Sequence, residues 1–209
     1  MFVVLFEVQP KKAQWDRYLE RAAMLRPELE QIRGFIDNER YASERTDGRL
    51  LSLSTWASEK ALVRWRTQAL HRDVQEQGRF EVFDDYHLRV GEVATDSEHP
   101  DLPQTRFDVT ETGSAAAATV AEVAPGVAGP TAPESSDLVD AEWYTAINTE
   151  GRRLLLASWR DADAAADWVA TQTAEARYRQ IRVVRDYGMR DRAEAPQYYA
   201  EVEDRSKIA

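Results

Sequence analysis

A chain of 209 residues, 43% hydrophobic and 10% aromatic, has enough apolar material for a globular core, while its net charge of −10 opposes a phosphate-backbone partner. It holds no cysteine, which excludes disulfides, thiolate catalysis and cysteine-bound zinc or iron–sulfur centres. The stretch from Met1 to Glu7 lacks a basic leader, and no apolar run approaches the ~20 residues of a membrane span. A soluble, cytoplasmic protein is expected, with no membrane partner.

Phe2–Val8 is a short run rich in β-branched residues, closed by Gln9 and Pro10, and predicts a buried strand. Trp15, Tyr18, Leu19, Ala22, Leu25, Leu29 and Ile32 then recur at intervals of three and four. That is the period of an amphipathic helix over 11–32, ending near Gly34, with Pro27 as a place for a kink. Phe35–Arg45 and Arg49–Trp56 predict strands joined by a Thr46-Asp47-Gly48 turn, in which glycine supplies φ > 0. Ser58 is placed to cap a second helix over 59–77, with Leu62, Trp65, Ala69 and Val74 near one face. Phe80–Val93 predicts a fourth strand. The order βαββαβ is the ferredoxin-like unit.

The sequence then repeats itself. Residues 35–65 recur as residues 138–168, an offset of 103 that pairs Asp37 with Asp140, Tyr41 with Tyr144, Trp56 with Trp159 and Trp65 with Trp168. Further on, Asp85-Tyr86 matches Asp186-Tyr187. The domain plan is a first repeat over 1–95, a linker over 96–104, a second, degenerate repeat over 105–192, and a tail over 193–209. The second repeat is expected to open with a strand over Thr105–Thr112 and to keep a shortened Ala-rich helix within Gly113–Asp137, followed by a loop from Pro125 to Pro133. Its second helix is expected over Asp161–Tyr178 and its last strand over Ile181–Arg190. Residues 198–202 read as an edge strand or a packed arm. The fold class is α+β: two tandem ferredoxin-like repeats packed sheet to sheet as an internal dimeric α+β barrel, because each bare sheet face must be covered. That arrangement is an intramolecular pseudo-dimer, and it leaves room for a further homodimer of chains.

The strand–helix–hairpin order, the run from Leu53 to Trp65, the His71-Arg72 pair and the closing Asp85-Tyr86-His87 strand resemble the antibiotic biosynthesis monooxygenase family, over most of residues 1–93 and more weakly over 105–191. The resemblance implies a dimeric α+β barrel with a pocket between sheet and helices. It implies one of two chemistries: cofactor-free oxidation of an aromatic phenol or anthrone by O₂, or haem degradation. For the first, the family uses a strand-3 Trp, an Asn four residues earlier and a strand-2 Tyr; here those positions hold Trp56, Ser52 and Tyr41. For the second, a helix-2 Trp is matched by Trp65, but the axial-histidine position holds Gln75, His71 stands a turn early, and Glu7-Val8 replace the strand-1 Asn. Amide nitrogen does not replace imidazole at haem iron.

Period-two alternation puts Ser52, Ser54 and Trp56 on one face, where two small hydroxyls leave space beside an indole. The same positions later are Leu155, Ala157 and Trp159, and His71 aligns with Ala174, so one pocket, in the first repeat, is expected. The resulting reading is a cofactor-independent monooxygenase of a small aromatic, polyketide-like substrate. Ser52, His71 and Tyr41 are its catalytic candidates, Trp56, Trp65 and Ser54 line the substrate, and neither metal nor cofactor takes part. In it Ser52 donates to the substrate oxygen and His71 accepts the phenolic proton. The competing readings are a non-catalytic ligand-binding or assembly protein on the same barrel, and core packing as the plain role of Trp56 and Trp65. Asp84 and Asp85 point to opposite faces, His87 and His99 read as incidental, and the recurring Asp-Tyr pair reads as scaffold.

Overall fold

A computed structural model describes residues 1–196; the arm expected over 198–202 lies outside them. The strands are β1 (Phe2–Pro10), β2 (Phe35–Ser43), β3 (Leu50–Trp56), β4 (Phe83–Asp96), β5 (Ala117–Val123), β6 (Leu138–Ala146), β7 (Arg153–Trp159) and β8 (Arg177–Gly188). The helices are α1 (Trp15–Glu30), α2 (Glu59–Thr67), α3 (Ala69–Gln77) and α4 (Ala162–Ala170). None is long and apolar enough to cross a membrane among the described residues. All eight strands form one closed barrel in the order β1-β3-β2-β6-β7-β5-β8-β4. The expected sheet-on-sheet stack therefore goes further: its edges hydrogen-bond, along β2–β6 and, at greater length, along β4–β8. Closure leaves no open edge.

Alternation sorts the strands as the sequence indicates. Val3, Leu5, Leu51, Leu53, Val120, Leu154 and Val183 fill the barrel, while Val4, Trp56 and Val90 face outward and pack with Leu29, Leu62 and Trp65 of the helices. The hairpin turns form on Gly48 and Gly151, at φ +73 and +77, and Ser58 caps α2 by accepting from the Ala61 N–H.

The bounds of β6, β7 and α4 are those of β2, β3 and α2 displaced by 103. Outside this block the expectation needs correcting. The strand that pairs with β7 is Ala117–Val123, read from sequence as helical, whereas Thr105–Thr112 is not a strand and leaves Phe107 exposed. Alanine favours a helix, but small side chains are what fit between β7 and β8, where the Trp159 indole N–H donates to Thr119 Oγ1 at 3.1 Å. Tertiary packing outweighs propensity here. Residues 105–106 are instead held by Glu92, which accepts from the N–H groups of Thr105 and Arg106.

The pairing registers also separate two tyrosines that sequence alignment equates. Phe2 and Ala117 occupy equal places opposite Trp56 and Trp159, 115 residues apart. Phe2 opposes Glu92 and Ala117 opposes Arg182, which makes Glu92 and Arg182 equivalent at a spacing of 90. Asp186-Tyr187 therefore does not occupy the register of Asp85-Tyr86, and His71 has no counterpart at Ala174. The spacing falls from 115 to 103 where α1 has no partner, and from 103 to 90 where α3 has none. Among the described residues the C-terminal half carries one helix, α4, on its outer face.

Charged groups sit inside the barrel at both ends. Glu7 accepts from Arg89 at 2.6 Å, Arg49 at 2.7 Å and Tyr144 at 3.1 Å, and Arg89 also reaches Ser158. At the other end Glu122 accepts from Arg179 at 2.7 Å and Tyr41 at 2.9 Å, and Arg179 also reaches Thr55. Burial works against the Glu7 carboxylate, but Arg89, His87 and Arg49 together hold it well below the usual carboxylate range. Removing one partner of such a buried set strands the other. Glu7→Ala is expected to lower stability by about 3–5 kcal/mol, read as a drop in the urea midpoint at unchanged slope.

Candidate functional site

A cavity of about 220 Å³ lies between the outer face of β1–β4 and the three helices α1, α2 and α3. Its floor is Val4, Phe6, Leu88 and Val90, and α1 roofs it with Tyr18, Ala22, Leu25 and Leu29. The wall is aromatic at one side, where Phe6, Phe83 and Tyr86 meet with centroids 5.8–6.2 Å apart. Edge-to-face contacts at such distances hold rings rigidly.

Ser52 and Ser54 both face this space from β3. The Asn38 amide donates to Ser52 Oγ and to the Leu53 carbonyl, each at 3.0 Å, and the Trp56 indole N–H donates to Ser54 Oγ at 3.0 Å. Each serine oxygen is thus used as an acceptor, and its hydroxyl proton has no acceptor among the described residues. The pair is set up to donate to a ligand. Arg40 stands opposite Ser52 on β2 and lines the cavity with Tyr18, and its Nε, buried, has no hydrogen-bond partner among the described residues.

The helix expected over 59–77 is broken at Gln68, which takes an extended conformation and caps α3 by accepting from the His71 N–H at 2.8 Å. The break folds His71 back onto Trp65, stacked at 4.0 Å with planes 15° apart. His71 Nδ1 lies 3.0 Å from the Trp65 carbonyl, which can only accept, so the ring carries its proton on Nδ1 and presents a lone pair at Nε2. The Gln75 amide approaches that nitrogen at 3.5 Å. Burial pushes the imidazole down to about 4, so it is uncharged near neutral pH.

The remaining wall comes from the far end of the chain. Arg185 and Tyr187 of β8, with Arg192 and Pro196 beyond it, line the same cavity. Ile181 and Val183 point into the barrel, and strict alternation would send Arg185 there too. A bulge prevents this: Val90 pairs with Arg185 and Gly91 with Val183, so Val184 is the extra residue. Arg185 and Tyr187 thereby turn outward beside Val90 and Leu88. Burial raises the Tyr187 hydroxyl to about 12 against the pull of Arg66, Arg192 and Arg185, so it remains a neutral donor. Six arginines line the cavity (Arg21, Arg26, Arg40, Arg66, Arg185 and Arg192), and no Asp or Glu does among the described residues.

Of the six residues selected from sequence, Ser52, Ser54, Trp65 and His71 come together at the cavity. Tyr41 does not. It is fully buried on the opposite face of the sheet, bonded to Glu122, because it lies an odd number of residues from Asn38 and Arg40. Trp56 is packed beneath the site in an edge-to-face contact with Phe35, its N–H spent on Ser54. His87, read as incidental, bonds Asp186 at 2.5 Å and neighbours Glu7; burial opposes its charge, but these carboxylates raise it to about 9. Asn38 and Arg40 were missed, although the register set by the Gly48 turn places them opposite Ser54 and Ser52. Among the described residues no group of three or more His, Asp or Glu side chains is placed to hold a metal ion.

Comparison with known proteins agrees with this architecture. The sequence signature described as Antibiotic biosynthesis monooxygenase matches residues 1–77. The chain is 38% identical over 216 aligned positions to the Jasmonate monooxygenase ABM of Pyricularia oryzae, covering 95% of this chain and 98% of that protein. An aldoxime dehydratase shares the fold, with a TM-score of 0.54 at 10% identity over 88% of this chain and 81% of the other. A putative monooxygenase from Lactobacillus acidophilus gives a TM-score of 0.41 at 8% identity, over 88% and 94% of the two chains.

The two perturbed histidines have opposite pH signatures. His71 keeps its proton off down to about 4 while the unfolded chain binds one near 6.5, so its contribution to stability is lost as pH falls through that window. His87 holds its proton up to about 9, so its contribution is complete below about 6.5 and is lost as pH rises toward 9. Histidine ring NMR should show these two midpoints on either side of the ordinary value, and His71→Gln should flatten only the acid side of the stability profile.

Proposed function

Because the chain belongs to the antibiotic biosynthesis monooxygenase family, we propose that it oxidises one small, largely apolar molecule with O₂ in the cavity beneath α1, α2 and α3. The observation that carries this is a cavity in which two serine hydroxyl donors, a neutral imidazole and a rigid aromatic wall face the same space. An electron-rich phenol or anthrone suits that arrangement. Phe6, Phe83, Tyr86 and Trp65 hold the ring, Ser52 and Ser54 donate to the substrate oxygen, and His71 Nε2 receives the proton released on ionisation. With its basicity depressed, His71 depends on the surrounding guanidinium groups, which favour the anion as it forms. The carbanion or phenolate then supplies the electrons to O₂: a methylene becomes a carbonyl, one oxygen atom is retained and the other leaves as water. No external reductant is needed.

A cofactor-free reaction is part of this proposal. Haem does not fit the donor set, since His71 Nδ1 is bonded to the Trp65 carbonyl, Gln75 approaches Nε2, and Trp65 stacks on the ring face. A second reading, favoured by the arginine lining and by the relative named for jasmonate, is hydroxylation of an alicyclic carboxylic acid. That reaction needs two further electrons from a reductant.

We also read the chain as a fusion of two ferredoxin-like units, about 1–95 and 105–192, acting as an in-chain dimer. The common bounds at an offset of 103 and the matched pairing of β1–β3 with β5–β7 support this. The second unit lacks counterparts of α1 and α3, the helices that roof the cavity, and supplies Arg185 and Tyr187 to the first instead.

Oxygen-electrode assays distinguish the substrate readings. Hydroquinone- or anthrone-dependent O₂ uptake without reductant supports the first, and jasmonate oxidation only with a reductant supports the second. Uptake with neither sinks the enzymatic proposal. Ser52→Ala is expected to lower kcat on the order of 100-fold. Tyr41→Phe, on the barrel-interior face, is expected to lower stability and leave kcat near wild type.

A further inference from the structure

Resting on that reading, we propose that Arg66, Arg185 and Tyr187 form a seat for a carboxylate, so that the substrate is an organic acid with its acidic end held by the C-terminal half of the chain. Three observations converge. First, the Val184 bulge diverts Arg185 and Tyr187 out of the barrel and into the cavity wall. Second, the Arg66 and Arg185 guanidinium groups placed there are left without a contacting carboxylate among the described residues: Asp108, which acts on Arg185 from a distance, is itself paired with Arg106. Among the described residues Arg66 Nε is buried with no hydrogen-bond partner, and neither Arg66 nor Arg185 makes an ion pair. In contrast, Arg26 is bonded to Glu30 and Arg21 to Gln77. Third, the groups face one space. Arg66 from α2 and Arg185 and Tyr187 from β8 line the same cavity, and Arg192 lies over the Tyr187 ring at 5.6 Å.

A half-buried guanidinium with no carboxylate in direct contact is stabilised when a ligand supplies one. Guanidinium presents a planar fork that matches a carboxylate, and a tyrosine that stays protonated adds a donor an anion can use. The protein as a whole carries a net charge of −10, so this local excess of cations is not a by-product of composition. The consequence is orientation. With its carboxylate held at β8, the apolar body lies along Phe6, Leu88 and Val90 toward Ser52, Ser54 and His71 on the other wall.

The test is binding, which does not depend on turnover. Jasmonate and 1-naphthoate, each against its methyl ester, would be titrated into the full-length protein by calorimetry, with O₂ uptake measured separately. At least one acid is expected to bind about tenfold or more tighter than its ester, with the preference weakening as salt rises. Arg185→Met and Arg66→Met should bring the ratio of ester to acid Kd close to one while ester affinity stays near wild type. Arg185→Lys, which keeps the charge but loses the fork, should give an intermediate ratio. Equal binding of acid and ester by the wild type, or a preference unchanged in both methionine variants, overturns the seat even if O₂ uptake persists. If a variant fails to fold, the wild-type ratio and its salt dependence still decide. Acid-selective binding without O₂ uptake leaves the seat standing and overturns the proposed oxidation, and a cavity that takes none of the four probes overturns both.

Discussion

Of the two seams that close this eight-stranded barrel, the longer is where β4 meets β8, and the register of that ladder governs much of what lies on either side of it. Its inward residues, Arg89 and Asp186 among them, join the ionic cluster at one end of the barrel. Its outward residues, Leu88 and Val90 with Tyr187 and Arg185, form the edge of the cavity. One extra residue at Val184 lets a single strand do both, by reversing the sense of alternation halfway along. Gly91, beside the bulge, is required by the close approach: a Cβ there would meet Ile181 Cγ2 at 2.2 Å and the Arg182 carbonyl oxygen at 2.7 Å.

The interior has an apolar middle and polar ends. In both end clusters a tyrosine hydroxyl and an arginine converge on one glutamate, and the arginine also reaches a serine or threonine: Tyr144, Arg89, Glu7 and Ser158 at one end, Tyr41, Arg179, Glu122 and Thr55 at the other. Desolvation offsets most of what such pairs gain, so their worth lies less in net stability than in which strand arrangements they permit. A one-residue slip of any strand would put its charged side chain among the helices and an apolar one against a stranded partner.

The cavity lies on one side because the helices that roof it do. With α1 and α3 present only in the N-terminal half, the outer face of β5–β8 is packed under α4, where Trp159, Trp168, Ala157 and Ala165 meet. The corresponding face of β1–β4 is held open by helices that touch the sheet at Leu29, Leu62 and Trp65 and bridge the space between. The C-terminal half then acts on the site through β8 and the segment after it, with cations where the N-terminal half offers hydroxyls and aromatics.

The sequence by itself determined the elements whose signals are local. The βαββ start, the glycine turns, the Ser58 cap and the block of residues 35–65 matched by 138–168 follow from periodicity, turn chemistry and self-similarity, and the outward face carrying Ser52 and Ser54 follows from alternation. What only the tertiary structure decided involves partners distant in the chain. An alanine-rich stretch became β5 because its neighbours β7 and β8 left room for small side chains. A helix broke at Gln68 because its side chain caps α3 and His71 stacks back on Trp65. Tyr41, matched to a pocket role by position, went to the barrel interior because a hairpin register fixed at Gly48 gives its parity to Glu122. Arg185 and Tyr187 reached a site built almost a hundred residues earlier because a bulge, which leaves no mark in the hydrophobic pattern, turned them outward.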